Sequence, residues 1–366
     1  MKRVLFIILL LPLFLGCGCN RADIEPVKAV GTVPSFENGM EQGVSACYAA
    51  IYDGSIYLAG GCNFPETPAA NGGTKRYYKG IYKAVAGDTL VWESVASLPY
   101  EGAYGAFASD GGRLYIAGGI APCGAQRSVL CVDLKENCRV DSLASLPFAV
   151  DNCAGAFSGN RLFVVGGNCD GKASNRVFLL NVSDALAQWE ELPVMPSRGR
   201  VQPVCVATDS ALYVWGGFSP ADAEGDVIVH TDGCRYSFST KEWSPLGDIS
   251  FDGNVLTLSG GAAALLEDGT IVAAGGVNRD IFADAVSGRY TMVEKENYMQ
   301  QPAEWYSFNG NMLLYNIELD RWSLLRSDAA FARAGAAIVA DRERIYSVCG
   351  ELKPGIRSPY IYSIKR

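Results

Sequence analysis

Residues 104–119 read YGAFASDGGRLYIAGG: a run of small and apolar residues, a turn, a second apolar run, then the pair Gly118-Gly119. The same order recurs along the chain. ACYAAIYDGSIYLAGG ends at Gly61, AGAFSGNRLFVVGG at Gly167, QPVCVATDSALYVWGG at Gly217 and GGAAALLEDGTIVAAGG at Gly276. A last copy, AGAAIVADRERIYSVCG, ends at Gly350 with Cys349 in place of the first glycine. Steps between the final glycines are 58, 48, 50, 59 and 74 residues. Asp-Gly, Gly-Asn and Asp-Ser fall where a tight hairpin turn belongs. After each pair come a variable loop, an aromatic-rich run and usually a tryptophan run, as in YSFSTKEWSPL with Trp243 and LLYNIELDRWSLL with Trp322.

Four short strands per unit at a period near fifty residues predict an all-β, six-bladed kelch-type β-propeller. The sixth unit runs out of chain after its third strand, YIYSIK. Its fourth strand is expected from the N-terminal side, because VKAVGTVPSF (residues 27–36) matches the register of WESVASLPY. Such closure leaves no open edge and favours a ring over an open solenoid. Residues 27–366 are therefore expected to form a single propeller domain.

Composition narrows the functions. The chain has 366 residues, 49% of them hydrophobic, a net charge of -8 and no long basic run, so nucleic acid is a poor partner. His230 is the only histidine. That argues against zinc or copper sites built on several histidines, including a copper-oxidase propeller, and against a Ser-His-Asp mechanism. No metal or cofactor is expected. Residues 1–16 read as a bacterial lipoprotein signal: a basic start, an apolar run too short to span a bilayer, and FLGC ending at Cys17. Cys17 is the expected lipidation site and residues 17–26 a tether. The protein is thus expected at the periplasmic face of a bacterial membrane, the outer rather than the inner, touching it through the lipid alone. Disulfides are permitted there. Cys131 and Cys138 flank a short turn where a bridge could form, whereas Cys47, Cys153 and Cys205 sit in apolar strands that suit buried thiols.

In a propeller the loops leading into strand one and those following strand two open on one face. Polar residues converge there: Glu101, Asp151, Arg198, Arg200, Asn254 and Arg333 on the first set, Asn63, Asn168, Asn278, Arg279 and Glu351 on the second. Two loops of the second set are long, residues 62–79 and 277–311. The latter shows no clean helical period and is expected to cap the channel. A cation-lined cavity suits an anionic or highly hydroxylated ligand.

The sixth unit's loop is CGELKPGIR, residues 349–357. Pro354-Gly355 makes a turn that brings Arg357 back toward Glu351. The residues themselves fit either a carboxylate poised to accept a proton from a bound hydroxyl or a Glu–Arg pair that stabilises the turn.

GELKPGIR, together with the repeats, resembles the N-acetylneuraminate epimerases (sialic acid mutarotases), exported six-bladed propellers that interconvert the α and β anomers of N-acetylneuraminate. In that family a G-E-x-K-P-G-x-R segment carries a glutamate assigned as proton acceptor and an arginine linked to activity, which fall on Glu351 and Arg357. GGVNRDIF, residues 275–282, is similar to the family's long-loop segment. The motif blade is last here and mid-chain in usual members, which looks like a cyclically permuted branch; a ring of like units tolerates this. The resemblance implies an isomerase acting on a sugar acid without a cofactor. Glu351 would take the anomeric proton, and Arg357 would orient the sugar carboxylate or support the Glu351 charge. Arg333, Arg200, Lys353 and Asn278 are the candidate substrate-binding residues. The rival class is a non-catalytic, kelch-type glycan- or protein-binding lipoprotein.

Overall fold

A computed structural model describes residues 27–223 and 225–366. The expected signal and tether, with Cys17, lie outside the described residues. The quoted stretch folds as two antiparallel strands, Ala106–Ser109 and Arg113–Ala117, and the other copies do the same. Among the described residues there are six four-stranded antiparallel sheets. Their first strands are Tyr48–Tyr52, Ala106–Ser109, Ala154–Ser158, Val204–Ala207, Ala262–Leu265 and Ala337–Ala340. The turns follow the residues that make them: Tyr52 pairs with Ser55 across Asp53 and Gly54, both at positive φ as a two-residue hairpin requires.

The second strand of each sheet is buried on both faces over nearly its whole length, so these runs read as continuously apolar. In the second sheet Leu114 and Ile116 pack toward the first sheet, while Tyr115 and Ala117 pack toward the third. One core cluster lies in each seam between neighbouring sheets, including the seam between the sixth and the first. A fully buried Leu or Ile contributes about 1.5–3 kcal/mol, so stability is spread around the ring. Outer-strand tryptophans add cross-sheet bonds: Trp92 Nε1 donates to the Thr32 carbonyl at 2.7 Å and Trp243 Nε1 to that of Pro193 at 2.7 Å.

Closure follows the expected scheme. Ala29–Thr32 pairs antiparallel with Tyr360–Lys365 and completes the sixth sheet as its outer strand.

The glycine pairs have a steric cause. A Cβ on Gly118, at φ 67°, would stand 2.4 Å from the Val150 carbonyl oxygen of the next sheet. Gly119 N–H donates to that same carbonyl at 2.7 Å. In the sixth sheet Cys349 takes the left-handed conformation with a side chain, at φ 60°, and packs into the closing seam beside Cys47. All ten described cysteines are free thiols. Cys131 and Cys138 do not bridge because they face opposite seams, third-sheet side and first-sheet side respectively.

Candidate active site

At one end of the channel the residue two positions before each first strand is left-handed: Ala46, Tyr104, Asn152, Gln202, Gly260 and Gly335, with φ between 51° and 70°. Each donates its N–H to the carbonyl of its counterpart in the preceding sheet. Tyr104 bonds Ala46 at 3.2 Å, Asn152 bonds Tyr104 at 2.7 Å, and Gln202 bonds Asn152 at 2.8 Å. Gly260 bonds Gln202 at 3.1 Å, Gly335 bonds Gly260 at 2.7 Å, and Ala46 bonds Gly335 at 2.7 Å. This closed backbone ring frames the channel mouth. Its three small residues leave room, and Tyr104 and Gln202 raise side chains into the space. A left-handed tyrosine is strained and is held there by the ring on both sides.

Above the ring lies a cavity of about 510 Å³. One wall is the loop of residues 62–79, through Phe64, Ala69 and Lys75. Opposite stands the loop of residues 277–311, which holds a helix the sequence reading did not anticipate, α1 (Arg279–Val286). Asn278 caps it, its Oδ1 accepting from Asp280 N and Ile281 N at 3.1 Å each. Ile281, Phe282, Ala285 and Val286 form the face of α1 that lines the cavity, followed by Tyr290, Tyr298, Met299, Tyr306 and Phe308.

The third wall is the hairpin of Glu351–Lys353 and Ile356–Arg357, in which Glu351 and Arg357 are direct cross-strand partners. Arg357 Nη1 lies 3.1 Å from Glu351 Oε1, and the Gly355 N–H donates to that oxygen at 2.8 Å. Arg357 is 6% exposed. Its Nε donates to Ser45 Oγ at 3.1 Å and its guanidinium lies 4.9 Å over the Phe64 ring. Burial works against that charge, but Glu351 and the Tyr104 hydroxyl outweigh it and hold the Arg357 pKa above its ordinary value. Burial, with Cys62 and Glu351 nearby, pushes the Tyr104 phenol far up despite the pull of Arg357, so it stays protonated and can donate.

The expected substrate partners divide. Glu351, Arg357 and Asn278 line the cavity; Arg200, Arg333 and Lys353 do not. Arg200 is 1% exposed and spent on the protein. It donates to the Gly216 and Asp232 carbonyls at 3.1 and 3.2 Å and reaches both Asp232 carboxylate oxygens, at 3.0 and 3.2 Å. Arg333 is buried too, its Nε on the Ala330 carbonyl at 2.7 Å and its guanidinium 5.0 Å over Tyr362. Lys353 Nζ donates to the Gln301 carbonyl at 2.6 Å, tying the hairpin to the long loop. Asn278 shapes the wall by starting α1. Missed by the sequence reading were Tyr104, Gln202 and the cavity-facing role of Lys75. Gln202 Nε2 donates to Asn152 Oδ1 at 2.9 Å, leaving its Oε1 as an acceptor at the cavity floor.

The other end of the channel opens at about 620 Å³, and its charged lining residues are Asp53, Glu267 and Asp341 without a cation. An anionic ligand is therefore favoured only at the Glu351 end.

Comparison with known proteins bears on this end. The family model described as N-acetylneuraminate epimerase matches residues 143–365, a span that contains Glu351 and Arg357. The N-acetylneuraminate epimerase of Salmonella enteritidis PT4 is 28% identical over 198 residues, 52% of this chain and 50% of that protein. That of Haemophilus influenzae PittEE is 30% identical over 196 residues, 51% of each. The chain spans about half the length of the curated relatives it matches. The solved structure of YjhT superimposes with a TM-score of 0.53 at 25% identity, covering 61% of this chain and 63% of that one.

Proposed function

Because this chain belongs to the N-acetylneuraminate epimerase family, we propose that it interconverts the α and β anomers of N-acetylneuraminate. The observation that carries the reading is the Glu351 carboxylate on the cavity wall. Oε1 is fixed by Arg357 and by the Gly355 N–H, while Oε2 makes no hydrogen bond to the protein among the described residues. Held this way, Oε2 is the base. It removes the proton of the anomeric hydroxyl, that oxygen becomes a carbonyl, and the bond from the anomeric carbon to the ring oxygen breaks. The ring oxygen takes a proton from the Tyr104 phenol. The open-chain ketone rotates and recloses on its other face, and both protons return by the reverse transfers. Acid–base help of this kind is worth about 10²–10⁴-fold.

The order of the sheets supports a permuted member of the family. A chain with rotated units aligns with its relatives over an unbroken part only, in keeping with the half-length matches. The sequence FLGC supports export and a lipid on Cys17 at a bacterial membrane; loss of fatty-acid labelling in Cys17→Ser tests this.

The function is tested by NMR exchange spectroscopy on N-acetylneuraminate with spontaneous exchange subtracted. Exchange above background that disappears in a folded Glu351→Gln variant is expected. Wild-type protein that leaves the exchange at its spontaneous rate would remove the proposal.

A further inference from the structure

Three of the residues lining the cavity are charged: Lys75, Glu351 and Arg357. Glu351 and Arg357 face each other, so the surplus is one positive charge, on Lys75. Its neighbour Arg76 is spent on Glu66. Lys75 has no carboxylate within ion-pair distance among the described residues. Its Nζ instead donates to Tyr104 Oη at 3.2 Å and stands 4.6 Å over the Tyr104 ring and 5.7 Å from the Phe64 centroid. Aromatic faces and one phenol partly replace water around an ammonium group, but they do not neutralise it.

The position of Lys75 is built. The next residues, Arg76–Tyr77, pair with Cys62–Asn63. Asn63 is buried and donates to the Gly39 and Gly43 carbonyls at 2.7 and 2.8 Å, and it accepts from Tyr78 Oη at 2.8 Å. The loop therefore presents Lys75 from a fixed base. A second cation, Arg357, lines the same cavity. Arg357 Nη1 is buried and, although 3.1 Å from Glu351 Oε1, is not aligned to hydrogen-bond it. Both cations converge on Tyr104: Lys75 bonds its oxygen, and the same hydroxyl helps to hold the Arg357 charge.

We infer that Lys75 is the specificity-determining residue for an acidic substrate, binding its carboxylate together with the unaligned N–H of Arg357. This rests on the mutarotase reading, which it deepens. In a 2-keto sugar acid the carboxylate and the reacting hydroxyl share the anomeric carbon. A carboxylate seated between Lys75 and Arg357 therefore brings that hydroxyl to Glu351. A neutral sugar leaves Lys75 without its partner in a partly dehydrated site and is rejected.

The test compares N-acetylneuraminate with its methyl ester, which lacks the charge, for wild type, Lys75→Met and Lys75→Arg. Exchange spectroscopy gives KM and kcat; calorimetric titration gives binding. Wild type is expected to prefer the acid. Lys75→Met raises KM for the acid by roughly 10- to 100-fold, the loss of one charge-assisted bond, with a smaller change in kcat and little change for the ester. Lys75→Arg restores most of the preference. An acid-over-ester preference that survives in Lys75→Met overturns the assignment. If wild type accelerates no exchange, the mutarotase reading fails and titration still decides. Acid binding that weakens in Lys75→Met supports the Lys75 role, and equal binding by both proteins, or none by wild type, overturns it.

Discussion

Arg357 and Glu351 sit opposite each other across a two-strand hairpin, yet their side chains differ in access: 2% exposed for the arginine, 23% for the glutamate. The arginine is the buried support and the glutamate the group that a ligand meets. Arg357 serves Ser45, Glu351 and the Phe64 face at once through a planar, forked group. Lysine keeps the charge but offers neither the fork nor the flat face. Arg357→Lys should therefore leave the protein folded and displace Glu351, lowering the exchange rate by up to about 10²-fold. A full-rate Arg357→Lys variant, measured by the same NMR exchange, would show that the charge alone suffices.

Arg200 makes the opposite prediction. With 1% exposure and bonds to two carbonyls and a carboxylate, it holds the fourth sheet's edge rather than a ligand. Arg200→Met strands the Gly216 carbonyl and strips the Asp232 carboxylate of its arginine, and should destabilise the fold by roughly 2–4 kcal/mol. At temperatures where the variant remains folded its exchange rate should match wild type. Denaturant melts and rate measurements on one sample separate the two effects. A stable variant with a raised KM would return Arg200 to the site.

That contrast shows what the chain displays and what it conceals. The repeats, their turns and the N-terminal closing strand are legible because the same burial and the same clash with the following sheet recur from unit to unit and leave the same residue pattern each time. GELKPGIR is legible because its turn and its two partners lie within a few residues. Arg200 and Arg333 are not: sequence places each in a loop leading into a first strand, but whether it enters the channel or a seam depends on the neighbouring sheet. Helix α1 left a readable signal, an Asn278 cap followed by apolar residues at 281, 282, 285 and 286. Its short length hid the period. The left-handed ring at the channel mouth is a property of six units together, so Tyr104 and Gln202 looked ordinary.

The steric account of the glycine pairs can be isolated with two alanines. Gly54 and Gly118 have nearly the same φ, 64° and 67°, but a Cβ on Gly54 meets nothing within 4 Å and one on Gly118 meets the Val150 oxygen at 2.4 Å. Both substitutions incur the left-handed cost of about 1–2 kcal/mol. Only Gly118→Ala must also push two sheets apart and weaken the Gly119 bond to Val150. The excess loss in Gly118→Ala over Gly54→Ala, by denaturant unfolding, should be at least about 1 kcal/mol. Equal losses would mean that backbone conformation, not the neighbouring sheet, selects glycine there.

The single histidine gives a direct probe of the fourth sheet. His230 lies behind Arg200, its Nε2 2.8 Å from Ser219 Oγ and its Nδ1 3.4 Å from Asp232. Burial lowers its pKa below the ordinary 6.5, and Arg200 and Arg198 act in the same direction, against the pull of Asp232. The folded protein then binds this proton less readily than the unfolded chain. The neutral ring's contribution to stability is complete above pH 6.5 and is lost as pH falls through the lower folded value. With one imidazole in the chain, the proton spectrum has one Hε1 signal to follow. Its midpoint should lie below 6.5 in wild type, and acidification should destabilise wild type more than His230→Gln. A midpoint at or above the ordinary value would mean that Asp232 outweighs burial and that the ring is charged in the native sheet.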